Sequence, residues 1–240
     1  MGVKHAKTSA KGDGADATQV QPSDWNADHV GDYVSGASGS GHIVIPGLAA
    51  SPDVVPASPS SYDDEFESLS GWTTLGSLNT SNVTDFPSHW HVKKATIGLQ
   101  IHGIYKAAPS TPFTVTAKFS DIMYAGNYNE YGLALGDSTP TAWWSMSLSV
   151  YPSPWSIQND VWTNNTSRSG ATNYSQYDQP RYLRLIVNSS TSVDVRVSMN
   201  GLIWDPVVNA LNPGFASKVG IVVSANGVDA EAAVDWIRFT

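Results

Sequence analysis

Cysteine is absent from the 240 residues of this chain, so neither a disulfide framework nor a thiolate metal site can form. The sequence also has no run of about 18 apolar residues, the length that a membrane-spanning helix requires. The basic residues near the amino terminus are not followed by the apolar stretch of a secretion signal. We therefore expect a soluble chain without membrane insertion, compatible with folding in a reducing cytoplasm.

Charged residues are scarce, and their balance is acidic. They make up 14% of the chain, and 21 acidic residues against 13 basic ones give a net charge of -8. Binding to a phosphate backbone draws its free energy from clustered Lys and Arg side chains. This balance predicts that nucleic acid is not a partner.

Amphipathic helical segments are missing as well, which excludes parallel α/β folds. From Tyr62 onward, short apolar or alternating runs are separated by turn residues, as in a sandwich or barrel. Phe113–Phe119 alternates with a period of two and predicts a half-buried strand, while 182–187 and 193–199 predict an antiparallel hairpin. Further strands are predicted at Trp90–Lys93, Ile97–His102, Tyr131–Leu135, Trp144–Val150, Lys218–Val223 and Ala233–Phe239. About ten to twelve strands fit two large stacked sheets.

The chain divides into three parts by composition. Residues 1–45 are rich in Gly, Ser and Asp and cannot bury a core of their own, so composition alone favours an unpacked tail. Residues 46–61 form a Pro/Ser-rich linker with an extended backbone. Residues 62–240 form the predicted all-β, antiparallel two-sheet sandwich.

Motifs at both ends of the third part resemble those of concanavalin A-like lectin/glucanase jelly rolls. The part opens with Asp63-Asp64-Glu65-Phe66-Glu67 and Leu69-Ser70-Gly71-Trp72, and it closes with 233–239. Met199-Asn200-Gly201-Leu202-Ile203-Trp204 is similar to an element near the end of such domains. The resemblance implies a concanavalin A-like sandwich over residues 62–240 and leaves the ligand open.

The first part contains a second resemblance. Residues 5–9, 12–18 and 21–29 are similar to a segment that recurs in virion proteins of tailed bacteriophages, particularly tail fibres and related appendages. The resemblance implies an amino-terminal arm for virion attachment or oligomerisation, followed by an outward binding domain. It favours packing of the arm on another subunit over an unpacked tail. The residues assigned to attachment are Val20, Asp24, Trp25 and Asn26.

Catalytic and metal-binding constellations are not evident. Bacterial glucanases of this type place alternating carboxylates on one strand, and the sequence lacks that motif. The acidic groups at 63–67 and 229–235 are interpreted as solvated faces. His89 and His91 share one strand face, and His102 or another subunit could add a third ligand, but a surface pair is favoured. We expect no catalytic residue, no metal and no cofactor.

Aromatic side chains give a stronger indication of a ligand. Flat rings stack on the apolar faces of sugars, while amides and carboxylates bond the hydroxyl groups. Between 127 and 182, aromatic residues alternate with Asn and Asp in stretches that read as loops between strands. The predicted carbohydrate-binding residues are Trp155, Trp162, Tyr174, Tyr177, Asn159, Asp160, Asn164 and Asn173.

Together these features predict a structural bacteriophage virion protein, a tail or head fibre or decoration protein, and not an enzyme. Its arm contacts other virion proteins, its sandwich binds host-surface glycan, and it acts as a homo-oligomer, for which a trimer is favoured. The chain would be assembled in the host cytoplasm and located in the virion. Two alternatives stay open: a purely structural protein whose aromatic loops pack at subunit interfaces, and a glycan depolymerase.

Overall fold

The structure is a computed structural model that describes residues 59–83, 89–94, 98–120, 129–150, 156–176, 180–226 and 229–240. Residues Pro59–Thr240 form one compact unit. Fourteen strands and no helix occur in the described residues. Within that part of the chain, no helix is therefore long and apolar enough to cross a membrane.

Sheet A has seven antiparallel strands in the order β1-β4-β13-β6-β7-β8-β9. Its strands, in chain order, are β1 (Thr73–Leu75), β4 (Gln100–Ala107), β6 (Asn129–Gly136), β7 (Trp143–Val150), β8 (Ser156–Asn164), β9 (Ser167–Gln176) and β13 (Lys218–Ala225). Strand β13 lies between β4 and β6, so the sheet closes only when this late segment of the chain is in place.

Sheet B also has seven antiparallel strands, in the order β12-β11-β10-β5-β14-β3-β2. Its strands, in chain order, are β2 (Thr80–Asn82), β3 (Trp90–Lys94), β5 (Phe113–Phe119), β10 (Tyr182–Ser189), β11 (Ser192–Ser198), β12 (Asp205–Leu211) and β14 (Ala230–Phe239). The last strand, β14, lies between β5 and β3.

The main core fills the space between the two sheets. Trp144 of β7 points inward, and Trp143 points to the outer face of sheet A. Adjacent residues of a strand always point to opposite faces. The largest inward side chains, all almost fully buried, are Trp90, Phe119, Tyr131, Leu133, Trp144 and Ile221. Each such burial stabilises the fold by about 1.5–3 kcal/mol.

The first described residues join the last strand. The backbone of Asp64 exchanges two 2.9 Å hydrogen bonds with Ile237, and the Asp63 carboxylate accepts one from the Phe239 amide at 2.7 Å. The Glu65 carboxylate accepts hydrogen bonds from Nε and Nη2 of Arg238 at 3.1 and 3.2 Å. Asp63, Asp64 and Glu65 are half-buried and paired, so their interpretation as part of a solvated face is wrong, while Glu67 is exposed.

The fold class agrees with the sequence prediction: the described residues form an antiparallel two-sheet jelly-roll sandwich. The hairpin of β10 and β11 and the strand Phe113–Phe119 are confirmed. The reading of 156–176 as loops is wrong, because these residues form the β8–β9 hairpin.

Candidate functional site

A group of buried polar side chains occupies the outer face of sheet A. Residues of β6 with odd numbers, such as Tyr131, face the core, so Glu130 faces outward. The same alternation on β8 places Gln158 and Asp160 outward, two strands away from Glu130. Arg168 of β9 reaches the same place. We call Glu130, Gln158, Asp160 and Arg168 the acid cluster.

Hydrogen bonds draw the two carboxyl groups of the acid cluster together. The Gln158 side-chain amide donates to Glu130 Oε1 at 2.9 Å and to Asp160 Oδ1 at 2.8 Å. The Arg168 guanidinium donates to Asp160 Oδ1 at 3.0 Å and lies 3.6 Å from Glu130 Oε1. One amide and one cation therefore bridge carboxyl groups that come from different strands.

Burial separates the protonation states of the two acids. Burial and the neighbouring Asp160 charge raise the pKa of Glu130 to about 8. Burial also raises the pKa of Asp160, but the Arg168 charge and the hydrogen bonds oppose this effect. Glu130 is therefore the member of the pair that holds a proton at neutral pH, while Arg168 favours the ionised form of Asp160. Glu130 can thus donate a proton or a hydrogen bond at pH 7.

Several oxygen atoms around the acid cluster are buried without a hydrogen-bond partner in the described structure. They are Glu130 Oε2, Asp160 Oδ2, Ser149 Oγ and Ser224 Oγ. Ser149 and Ser224 lie directly opposite Glu130 on the neighbouring strands β7 and β13. Because buried polar atoms without a hydrogen-bond partner are costly, these oxygens are suited to a hydroxyl group or water, which can both donate and accept hydrogen bonds.

The β8–β9 hairpin folds back over this face. Its turn residue Asn165 accepts a 2.9 Å hydrogen bond from the Ile101 amide on β4, although β13, β6 and β7 separate β4 from β8 in the sheet. The Trp162 ring packs beneath the hairpin on Trp143 and Ala134. Its indole nitrogen donates to the Ser145 hydroxyl at 3.1 Å.

The exposed side chains of this hairpin, taken over both of its faces, are almost all neutral and polar. The exposed hydroxyl and amide side chains, which we call the hairpin surface, belong to Thr163, Asn164, Thr166, Ser167, Ser169, Thr172 and Asn173. Arg168 anchors this surface from below through its bonds to the acid cluster. The arrangement presents hydrogen-bonding groups on a fixed scaffold.

The structure separates the predicted carbohydrate-binding residues into groups. Trp162 and Tyr174 lie in strands and not in loops, which corrects their predicted placement; Trp162 is 1% exposed, and Tyr174 packs against the main core. Asn159 and Asp160 are buried as well. Of the described candidates, only two are exposed and both lie on the hairpin surface: Asn164 and Asn173. Sugar contact stays a prediction for all of them.

Several predicted residues lie outside the described residues. These are Trp155 and Tyr177 of the predicted sugar site, and Val20, Asp24, Trp25 and Asn26 of the predicted attachment arm.

Sequence analysis missed Glu130, Gln158 and Arg168. A local carboxylate motif could not reveal the pair, since Glu130 and Asp160 come from β6 and β8 and meet only across β7. The usable signal was the polar residue Glu130 in a strand whose every residue is buried. The sequence showed no catalytic constellation, whereas the structure brings these two carboxyl groups together around the Gln158 amide.

The histidines do not meet. His91 pairs with Glu231 at 2.7 Å on sheet B, and His89 lies 3.8 Å from Asp235. His102 belongs to sheet A, where burial lowers its pKa to about 4, so it does not join the pair. Among the described residues, no three His, Asp or Glu side chains are grouped so that they could hold a metal ion.

Comparison with known proteins adds information on the fold. No protein-family model matches the sequence, and no curated protein matches it. Among solved structures, a mutant of the GH43 protein BlXynB from Bacillus licheniformis is similar with 14% identity and a TM-score of 0.54; the match covers 70% of this chain and 36% of that one. This chain therefore spans about a third of that protein.

Two further structures have the same fold. A functionally unknown protein from Saccharomyces cerevisiae has 14% identity and a TM-score of 0.50, with 72% of this chain and 97% of that one covered. The bifunctional GH43-CE from Bacteroides eggerthii has 11% identity and a TM-score of 0.50, with 67% of this chain and 22% of that one covered. At these identities the likeness shows a shared β-sandwich fold alone.

Proposed function

We propose that the chain is a structural bacteriophage virion protein, a tail or head fibre or decoration protein, whose sandwich binds host-surface carbohydrate. The virion role is supported by the motifs in residues 5–29, which resemble those of phage appendage proteins. Carbohydrate binding is supported by the lectin-like sandwich and by its polar surfaces.

The observation that carries the binding proposal is the hairpin surface. Sugars are recognised through many hydroxyl groups, and neutral amides and hydroxyls bond them without the cost of burying a charge. Asn173 and Thr172 are exposed on opposite faces of β9, and the hairpin that carries them is fixed by Trp162 and Arg168. A rigid polar surface loses little conformational entropy on binding.

A glycan array with the full chain tests this proposal. We expect selective binding to one group of host-surface glycans, and Asn173→Ala should weaken that binding about tenfold, the effect of losing one or two good hydrogen bonds. Asn188→Ala, at an exposed asparagine near the end of β10 on sheet B, is the matched control and should bind like the parent. Absence of binding to any host glycan would refute carbohydrate recognition. Equal effects of the two variants would show that the carbohydrate site is not on the hairpin surface.

The virion role is tested separately. We propose that residues 1–45 attach the chain to other virion proteins and that the chain forms a trimer. A particle assembled with Trp25→Ala should carry less of this chain than the parent particle, as measured by mass spectrometry of purified virions. Normal incorporation of a chain that lacks residues 1–45 would contradict the attachment role.

A purely structural protein is the first alternative. It would use aromatic loops at subunit contacts, but Trp162 and Tyr174 already pack within their own chain. Imaging of the intact particle would support this alternative if the hairpin surface were covered by a neighbouring subunit.

A glycan depolymerase is a second candidate, favoured by one observation. Glu130 and Asp160 converge on one amide nitrogen, and two carboxyl groups whose surroundings differ in this way can serve as acid and base in glycoside hydrolysis. Incubation with host polysaccharide followed by a reducing-end assay tests it. New reducing ends that disappear with Glu130→Gln would establish the enzyme; none with the parent chain would exclude it.

A further inference from the structure

A row of basic side chains crosses the outer face of sheet B. Strand register places Arg196 of β11 opposite Arg184 of β10, which is opposite Thr116 of β5, which is opposite Arg238 of β14. Three of the five arginines of the chain thus lie in one line across four strands. Like charges directly opposite each other destabilise a sheet, so the row needs a compensating interaction.

Two arginines of the row have acidic partners. Arg238 forms a two-pronged pair with Glu65. Arg196 bonds the Asn209 side chain at 2.7 Å and lies 3.9 Å from Asp194. Both charges are thereby at least partly neutralised within the chain.

Arg184 differs from its neighbours in the row. Its Nε donates to the Thr116 hydroxyl at 2.9 Å, and its guanidinium lies 3.6 Å from the centre of the Trp204 ring. Among the described residues, no carboxylate lies within ion-pair distance of it. Burial lowers the pKa of Arg184 with no opposing acidic neighbour. A half-buried guanidinium is therefore held in place by Thr116 and Trp204 without an acidic partner among the described residues.

The surroundings of Arg184 are rigid and apolar on one side. The Trp204 indole donates to the Gly201 carbonyl at 3.1 Å, and the Asn200 side chain accepts hydrogen bonds from the Leu202 and Ile203 amides. This fixed turn leaves Leu202 54% exposed and Ile203 70% exposed, directly before Trp204 in the chain. Exposed large apolar groups on a rigid turn indicate a contact surface.

The net charge of the chain restricts where an anionic ligand can bind. With a net charge of -8, the protein repels polyanions at long range, so such a ligand would bind only where a local cation attracts it. A guanidinium recognises a carboxylate through paired hydrogen bonds, and the apolar rim suits the C–H face of a sugar ring.

We propose that the face formed by Arg184, Trp204, Leu202 and Ile203 is a second binding site, for the carboxylate of a uronic-acid unit in an acidic polysaccharide. Arg184 binds the carboxylate, Arg196 adds positive potential, and the rim of the turn packs against the sugar ring. The site lies on the opposite sheet from the hairpin surface and does not depend on it.

Titration calorimetry of the full chain with oligogalacturonate, an oligomer of uronic acid, tests the proposal, with neutral dextran as the ligand control. We expect binding that weakens as salt is raised, and no binding of dextran at this face. Arg184→Met keeps an apolar stem against Trp204 but removes the charge, and it should weaken binding at least about tenfold. Lys218→Met on sheet A changes the net charge equally and should bind like the parent.

Arg184→Lys provides a second variant, because it keeps the charge and loses the planar guanidinium; its affinity should lie between those of the parent and Arg184→Met. Failure of the parent to bind oligogalacturonate, or equal binding by the Arg184 and Lys218 variants, would overturn the proposal. Self-association that is lost with Ile203→Glu, without uronate binding, would also overturn it and assign the face to a second copy of the chain. Loss of neutral-glycan binding in Asn173→Ala, with uronate binding retained, would separate this site from the proposed function.

Discussion

Glu130 is a carboxyl group whose proton contributes to folding. Its pKa rises from 4.5 to about 8 on folding, so the folded chain holds a proton that the unfolded chain releases between these values. Stability from this group is complete below pH 4.5 and is lost as the pH rises toward 8, at up to about 1.4 kcal/mol per pH unit. The raised pKa of Asp160 acts in the same direction. We predict that Glu130→Gln flattens the fall in stability between pH 5 and 8, measured by urea unfolding.

The control for this experiment is Glu67→Gln, which removes an exposed acid and should leave the pH dependence of the parent intact. A parent chain whose stability rises steadily from pH 5 to 8, or a Glu130→Gln chain with the same slope as the parent, would contradict a buried proton at Glu130.

Gly76 is required by its backbone angle and by its neighbour. Its φ is +67°, and a Cβ there would lie 2.3 Å from His102 Nδ1, the atom that accepts a hydrogen bond from the Ser77 amide. Gly71, with φ +82°, has open space around it and provides a matched control. We predict that Gly76→Ala unfolds more easily than Gly71→Ala by about 1–3 kcal/mol, because only the first must displace a buried side chain. Equal thermal midpoints for the two variants would refute this.

At the scale of the element, the β8–β9 hairpin depends on Arg168. This side chain links β9 to the two buried acids, and its removal leaves Asp160 buried without its cation. Arg168→Gln should lower stability by about 3–5 kcal/mol, as expected when one partner of a buried ion pair is lost. Amide exchange should accelerate first at residues 156–176, since the hairpin loses its anchor.

Lys93→Gln is the comparison, because it also removes one cation, but from an exposed pair with Asp229. It should leave both stability and amide exchange in the hairpin unchanged. Uniform acceleration across both sheets in Arg168→Gln, without a local effect in 156–176, would show that the hairpin is not held separately.

The β8–β9 hairpin could not be predicted from the sequence, whereas other strands could. Phe113–Phe119 and the β10–β11 pair have apolar residues on one face and polar ones on the other, so their strands could be predicted. In β8, the polar residues Gln158 and Asp160 occupy one face with Trp162, and that face is buried only because the hairpin folds back on sheet A. In β8, alternation of polar and apolar residues therefore did not distinguish the buried face from the exposed face. The pairing of Glu130 with Asp160 depended on the same fold-back, and no local spacing encodes it.

At the scale of the whole molecule, both sheets depend on the end of the chain. Val223 of β13 pairs with His102 of β4 on one side and with Tyr131 of β6 on the other. Strands β4 and β6 are therefore joined only through β13. A proline there removes a ladder hydrogen bond in the middle of sheet A and cannot be accommodated. We predict that Val223→Pro abolishes the cooperative thermal transition, followed by near-ultraviolet circular dichroism of the buried tryptophans.

An edge strand should tolerate the same change. Val207→Pro lies in β12, the outermost strand of sheet B, where one side of the backbone has no partner strand. We expect it to keep a cooperative transition, with a midpoint lowered by no more than about 10 °C, which corresponds to about 3 kcal/mol in a chain of this size. A Val223→Pro chain that melts within a few degrees of the parent would mean that sheet A can form without a continuous β13. Loss of the transition in both variants would mean that the two sheets tolerate no interruption even at their edges, and that the late central strand has no special role.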